Sequence, residues 1–178
     1  MKKILLITLL FANMHLVAQD KYSYLDERGF LVKTGQQAPD FKIVYADGTS
    51  PGKLSDLQGK PVMLQFTASW CGVCRQEMPH IEKDIWQAYK DKGLILIGID
   101  RKEKPEAVKK FAEMMKITYP LALDLDDAIY TLYAHPNSGV TRNVLIDQNG
   151  KIVFLTRLFD KKEFKELINK IDKLCGSE

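Results

Sequence analysis

The sequence predicts a single α/β unit, a central mixed β-sheet flanked by helices, and three observations carry that prediction. Two short runs of branched and apolar residues, Val62 to Thr67 and Leu94 to Ile99, are each followed by a stretch whose apolar residues recur at helical spacing. Strand, helix, strand, helix in that order implies parallel pairing. Two later runs, Arg142 to Ile146 and Ile152 to Arg157, flank Asp147-Gln148-Asn149-Gly150, whose Asn-Gly pair marks an antiparallel hairpin. The chain has 178 residues, 46% of them hydrophobic, which suits one domain with a sizeable core and leaves no case for disorder.

Taken in order, Tyr22-Ser23-Tyr24-Leu25 and Phe30-Leu31-Val32 flank Asp26-Glu27-Arg28-Gly29 and read as a small N-terminal hairpin covering an edge or end of the sheet. Gly35 to Pro39 is a loop, Phe41 to Tyr45 a strand, and Ala46-Asp47-Gly48-Thr49 a turn before Leu54-Ser55-Asp56-Leu57. After the strand Val62 to Thr67, a helix runs from about Cys71 to Lys90 with Met78, Ile81, Ile85 and Ala88 on its buried side. Pro79 inside it predicts a kink. Pro105 opens the next helix, whose stripe is Val108, Phe111, Ala112 and Met115. Ala128 to Tyr133 is helical. The last helix is capped by Asp160 with Glu163 three residues on, and lines one face with Phe164, Leu167, Ile168, Ile171 and Leu174.

The N-terminus bears on location. Lys2 and Lys3 precede the uncharged apolar run Ile4 to Ala12, and a mildly polar stretch ends in Leu16-Val17-Ala18 before Gln19-Asp20. This is the pattern of a cleavable secretory signal cut after Ala18, too short for a membrane span of about 20 residues. The expected organisation is therefore a signal at 1–18, an N-terminal extension at 19–34 and the α/β domain at 35–178, soluble in the periplasm with no membrane insertion. Removing two lysines and no acid lowers the net charge from +3 to +1. Basic residues are scattered among acids, which argues against nucleic acid as a partner.

The chemistry concentrates in Trp70-Cys71-Gly72-Val73-Cys74-Arg75-Gln76-Glu77-Met78-Pro79, directly after an apolar strand. Two cysteines three residues apart at a strand-to-helix junction suit reversible disulfide exchange. The unpaired N–H groups and positive dipole end of a helix starting near Cys71 favour a thiolate there, below the free value of about 8.5. Cys74, one turn on, closes the ring by attacking a mixed disulfide at Cys71. A structural zinc site needs about four ligands. Only Cys175, His80 and His135 remain as further soft donors after the signal, and none lies at finger spacing. Neither a cofactor nor a metal is called for.

These residues carry a family resemblance. Gly35-x-x-Ala38-Pro39-Asp40-Phe41, then Trp70-Cys71-x-x-Cys74-x-x-Glu77-x-Pro79, then Gly139-Val140 and Leu145-Ile146-Asp147-x-x-Gly150-Lys151-Ile152 resemble the thioredoxin-like disulfide reductases of the bacterial envelope, the TlpA/ResA type, over residues 35–174. The resemblance implies a thioredoxin fold with an inserted strand-helix segment. It implies reduction of disulfides in exported proteins, with electrons from an inner-membrane thiol donor. Position by position it makes Cys71 the nucleophile, Cys74 the resolving thiol and Glu77 an acid able to accept a thiol proton. Trp70 becomes the aromatic beside the sulfurs, and Val140 and Thr141 fall in the loop that meets the substrate strand.

Three departures stand out. Gln65 replaces a buried Asp six residues before the first cysteine and cannot take up a proton, so that work falls to Glu77 or water. Gly72-Val73 replaces Gly-Pro, and Thr141 stands where a cis-proline is expected. A cis bond before a residue other than proline costs about 2.5 to 4 kcal/mol, so Val140-Thr141 is expected to be trans. Thr141 and Arg142 then stand to offer a hydroxyl and a positive charge near the thiolate. An oxidase or isomerase differs from a reductase only in redox poise. A thiol peroxidase wants a threonine where Ala68 stands. A copper(I) carrier would recruit His80 or His135 to the cysteine pair.

Overall fold

The computed structural model describes residues 27–176 and builds them around a five-stranded sheet. Lys42–Ile43 (β1) and Gly52–Lys53 (β2) form a small antiparallel pair, and a single 3₁₀ turn follows at Leu54–Leu57. Val62–Thr67 (β3) lies at the centre of the main sheet and leads into Gly72–His80 (α1). Then come a wide π-helical segment at Ile81–Trp86, a turn of α-helix at Gln87–Tyr89 (α2) and a closing 3₁₀ turn at Lys90–Lys92. Ile95–Arg101 (β4), Pro105–Met115 (α3), Leu121–Asp124 (β5) and Tyr130–Tyr133 (α4) follow. Arg142–Ile146 (β6), Ile152–Arg157 (β7) and Lys161–Cys175 (α5) complete the fold.

The strand order is β5-β4-β3-β6-β7, with β4 parallel to β3 and β5 parallel to β4, and with β6 antiparallel to both β3 and β7. Alternation along β3 divides the core. Leu64 and Phe66 face Phe30, Ile43, Tyr130 and Tyr133 on one side of the sheet. Met63 faces Met78, Ile81, Ile85, Phe111, Phe164 and Leu167 on the other, where α1, α3 and α5 pack. α3 and α5 bury the stripes their periodicity marks out. In the cysteine helix Met78, Ile81 and Ile85 are buried, but the expected Ala88 is exposed and Tyr89 takes the inward position, because the π turn at Ile81–Trp86 shifts the face by one residue. Asp160 caps α5 by accepting from the N–H groups of Lys162 and Glu163, both at 2.9 Å.

Some expectations change. The first arm of the expected hairpin, Tyr22 to Leu25, and the signal at 1–18 lie outside the described residues. Gly29 takes the left-handed turn conformation at φ +78, and Phe30 bridges Ala134 as a single antiparallel contact in the core. The strand at 41–45 shrinks to β1, with Tyr45 bridging Ala122. Pro79 lacks an N–H, so the helical ladder loses a donor there, and the helix widens into the π turn just beyond it. β5 is an addition: Leu-Ala-Leu-Asp has no β-branched residue, so nothing local distinguishes it from helix.

Candidate active site

Cys71 sits at the N-cap of α1 in extended conformation, where its Sγ accepts from the Cys74 N–H at 3.2 Å. The two cysteines form a disulfide. Their exposure differs. Cys74 is fully buried, Cys71 is partly open, and Trp70 before it is 60% exposed. An incoming sulfur therefore meets Cys71 first.

The residue before Trp70 is held from another element. Glu103, in the loop after β4, accepts from both the N–H and the hydroxyl of Ser69 at 2.5 Å. This clamp fixes the backbone that delivers Trp70 and Cys71.

Facing the disulfide is the loop before β6. Its Val140-Thr141 peptide is trans as expected, since no described peptide bond is cis. Thr141 is buried, and its Oγ1 lies 3.2 Å from both Cys71 Sγ and Cys74 Sγ. Val140 is buried beside it. Arg142 does not supply a charge to the sulfurs. The next residue on a strand points to the opposite face, and its guanidinium is taken up there by the Arg28 carbonyl at 2.9 Å, the Ser138 hydroxyl at 2.6 Å and the Phe30 ring.

Glu77 lies one turn beyond Cys74, buried against the sheet. Its Oε1 accepts from Asn143 Nδ2 at 2.7 Å, while its Oε2 has no hydrogen-bond partner. Burial pushes its pKa up to about 7, against the opposing pull of the Asn143 hydrogen bond and of the nearby Gln65 amide. Asn143 also donates to Thr156 Oγ1 at 2.9 Å, and Gln65 accepts from the Tyr119 hydroxyl at 2.7 Å. In β3 and β6, Gln65 and Asn143 are register partners. A carboxyl group tuned to neutral pH thus sits in a polar pocket under the helix that carries both sulfurs.

Asp100 is a second buried acid at the same end of the sheet, opposite Thr67 in the register. Neither of its oxygens has a hydrogen-bond partner, and burial with the nearby Glu103 carboxylate pushes its pKa up to about 8. Asn143, Asp100 and Glu103 were not singled out from the sequence. Two had a signal: Asn143 interrupts an apolar strand, and Asp100 closes one at the carboxyl end, where open α/β sheets place their sites.

The copper reading finds no support in the described residues. His80 stacks on Phe159 and meets Asp84 at 3.5 Å, His135 Nδ1 accepts from the Asn137 N–H, and no three His, Cys, Asp or Glu side chains there converge as a metal site. Cys175 is half-buried on the far helix α5, where burial raises its pKa.

Comparison with known proteins agrees with this geometry. Residues 34–155 match the AhpC/TSA family. The thiol-disulfide oxidoreductase ResA of Bacillus cereus is 34% identical over 122 residues, 68% of this chain and 68% of that protein. The solution structure of a candidate protein disulfide isomerase from Bacteroides thetaiotaomicron is 52% identical, covering 85% of this chain and 96% of that one with a TM-score of 0.81. The thioredoxin domain of a thiol-disulfide oxidoreductase from Bacteroides vulgatus is 29% identical, covering 80% and 97%, with a TM-score of 0.66. With a thioredoxin fold and a cysteine pair at the head of α1, the chain belongs to the AhpC/TSA family of thioredoxin-like proteins and is a thiol-disulfide oxidoreductase.

Proposed function

We propose that the protein is a reductase of disulfides in exported proteins, with Cys71 as attacking thiol, Cys74 as resolving thiol and Glu77 as the group that takes the Cys74 proton. The observation that carries this reading is the asymmetric pair: a partly open Cys71 at a helix N-terminus, a fully buried Cys74, and a buried carboxyl one turn further on with a pKa near 7. The exposed Trp70 side chain and the backbone of Val140 and Thr141, whose side chains are buried, receive the substrate strand. Strong oxidants of this fold work by stabilising their reduced form. Here Glu77, about half ionised at neutral pH and one turn from Cys74, disfavours a second negative charge on that sulfur, which weighs toward the disulfide and makes the dithiol the better electron donor.

The test is the reduction potential of the Cys71/Cys74 couple at pH 7, measured by equilibration with glutathione or dithiothreitol buffers. A value at or below about −250 mV, near thioredoxin, is expected. A value above about −180 mV would assign the direction to an oxidase or isomerase, the second reading that the description of the Bacteroides thetaiotaomicron protein favours.

We place this chemistry in the periplasm, reached by a signal at 1–18 and recharged by an inner-membrane thiol donor. No described helix is long and apolar enough to cross a membrane. Intact mass of the protein from the envelope fraction should begin at Gln19, and an uncleaved Met1 form there would remove the signal.

A further inference from the structure

We infer that the Thr141 hydroxyl is a catalytic hydrogen-bond donor shared by the two cysteines, holding whichever sulfur carries the negative charge in each half of the exchange. This goes beyond a place for Thr141 in the substrate surface, and it rests on the assignment of Cys71 as the attacking thiol.

The geometry is the argument. Thr141 is 2% exposed, and its Oγ1 is 3.2 Å from each sulfur, within range of either. Cys71 Sγ already accepts one backbone N–H from Cys74, so the hydroxyl adds a second donor to that sulfur. Among the described residues, Oγ1 has no hydrogen-bond partner besides the two sulfurs. Because it is equidistant, a switch between them needs only rotation about the Cβ–Oγ1 bond, with no motion of the backbone. A proline at this position has no side-chain donor.

In the first half, the Cys71 thiolate attacks a substrate disulfide. A bond forms between Cys71 Sγ and one substrate sulfur, the substrate S–S bond breaks, and the other substrate sulfur leaves as a thiolate that takes a proton from water. The hydroxyl points at Cys71 Sγ before this attack. Cys74 then gives its proton to Glu77, and the hydroxyl turns to the Cys74 thiolate. That thiolate attacks Cys71 Sγ, the intramolecular disulfide forms, the mixed disulfide breaks, and the second substrate sulfur leaves and is protonated. Two electrons have passed from the dithiol to the substrate, and no bond at Thr141 has been made or broken.

The experiment measures the pH dependence of iodoacetamide alkylation of each cysteine in the reduced protein, resolved by peptide mass spectrometry. It compares wild type with Thr141→Val, which keeps the shape and loses the hydroxyl, and with Thr141→Ser, which keeps the hydroxyl. A hydrogen bond to a charged group is worth about one to two pKa units. The Cys71 midpoint should therefore rise by that much in Thr141→Val, with alkylation at pH 6.5 slowed about tenfold or more. Serine should restore it to within about threefold. Thr141→Ala carries the same expectation and adds no γ-methyl in place of the hydroxyl, should the valine variant not fold. A wild-type profile in the valine and alanine variants, or a serine variant as shifted as they are, would overturn the inference and leave Cys71 as the nucleophile. Cys74 reacting ahead of Cys71 in the wild-type protein would instead overturn the assignment beneath it.

Discussion

Serine at Cys74 stops turnover and leaves a mixed disulfide between Cys71 and the substrate. Cys74 is fully buried, so a substrate sulfur reaches only Cys71, and Cys71 keeps its place at the head of α1 with the Thr141 hydroxyl beside it. The first bond still forms. The second cannot, because a serine hydroxyl is far less nucleophilic than a thiolate at neutral pH. Serine at Cys71 removes the accessible sulfur of the pair and leaves no mixed disulfide at the active site. Both variants should lose turnover of a model disulfide by on the order of 10³-fold or more, as expected for groups that act as a unit. Non-reducing mass spectrometry after incubation with oxidised glutathione separates them: the Cys74→Ser protein should gain one glutathione at Cys71. Trapping at Cys74 in the Cys71→Ser protein would reverse the two roles.

Glutamine at Glu77 should remove a substantial part of a pH dependence of stability and slow the resolving step. The folded pKa of Glu77 is about 7, raised by burial from an ordinary 4.5. A carboxyl raised in this way favours the folded state while it is protonated. The contribution is fully present below pH 4.5 and is lost as pH rises through 7. With about 1.4 kcal/mol per pKa unit, the loss comes to roughly 3 kcal/mol between those limits. Asp100, raised from 3.8 to about 8, adds a larger decline that reaches further into the alkaline range. Urea unfolding at pH 5 and pH 8 should therefore show a steep loss in the wild-type protein and a distinctly smaller one in Glu77→Gln, with Asp100 supplying the remainder. Equal slopes in the two proteins would exclude Glu77 as the titrating group. In single-turnover exchange, the variant should form the mixed disulfide at the normal rate and resolve it more slowly, since the acceptor of the Cys74 proton is gone.

What the sequence made legible follows from how local each signal is. The strands β3, β4, β6 and β7 and the three long helices appear near their expected positions because each carries its own periodicity or capping residue. β5 has no such signature. Its four residues become a strand because Gly98 to Arg101 present a parallel edge and Leu121 to Asp124 fit that register. The cysteines and Glu77 share one helix, so spacing alone brings them together. Asn143 meets Glu77 across 66 positions and Glu103 meets Ser69 across 34, and only the sheet makes those meetings. The misplacement of the Arg142 charge has the same origin. Adjacency to Thr141 in sequence suggests adjacency to the sulfurs, whereas strand alternation sends the two side chains to opposite faces.

The Arg142 arrangement also separates two ways of dividing the chain. The region shared with the family begins at residue 34, yet Phe30 and the Arg28 carbonyl, both upstream of it, form part of the pocket that takes the Arg142 guanidinium. Phe30 is itself fully enclosed against Phe66, Tyr130 and their neighbours. The stretch that matches the family and the stretch that packs together therefore have different boundaries. The few residues between them act as a backing plate, bracing from behind the strand whose front presents Thr141 to the sulfurs.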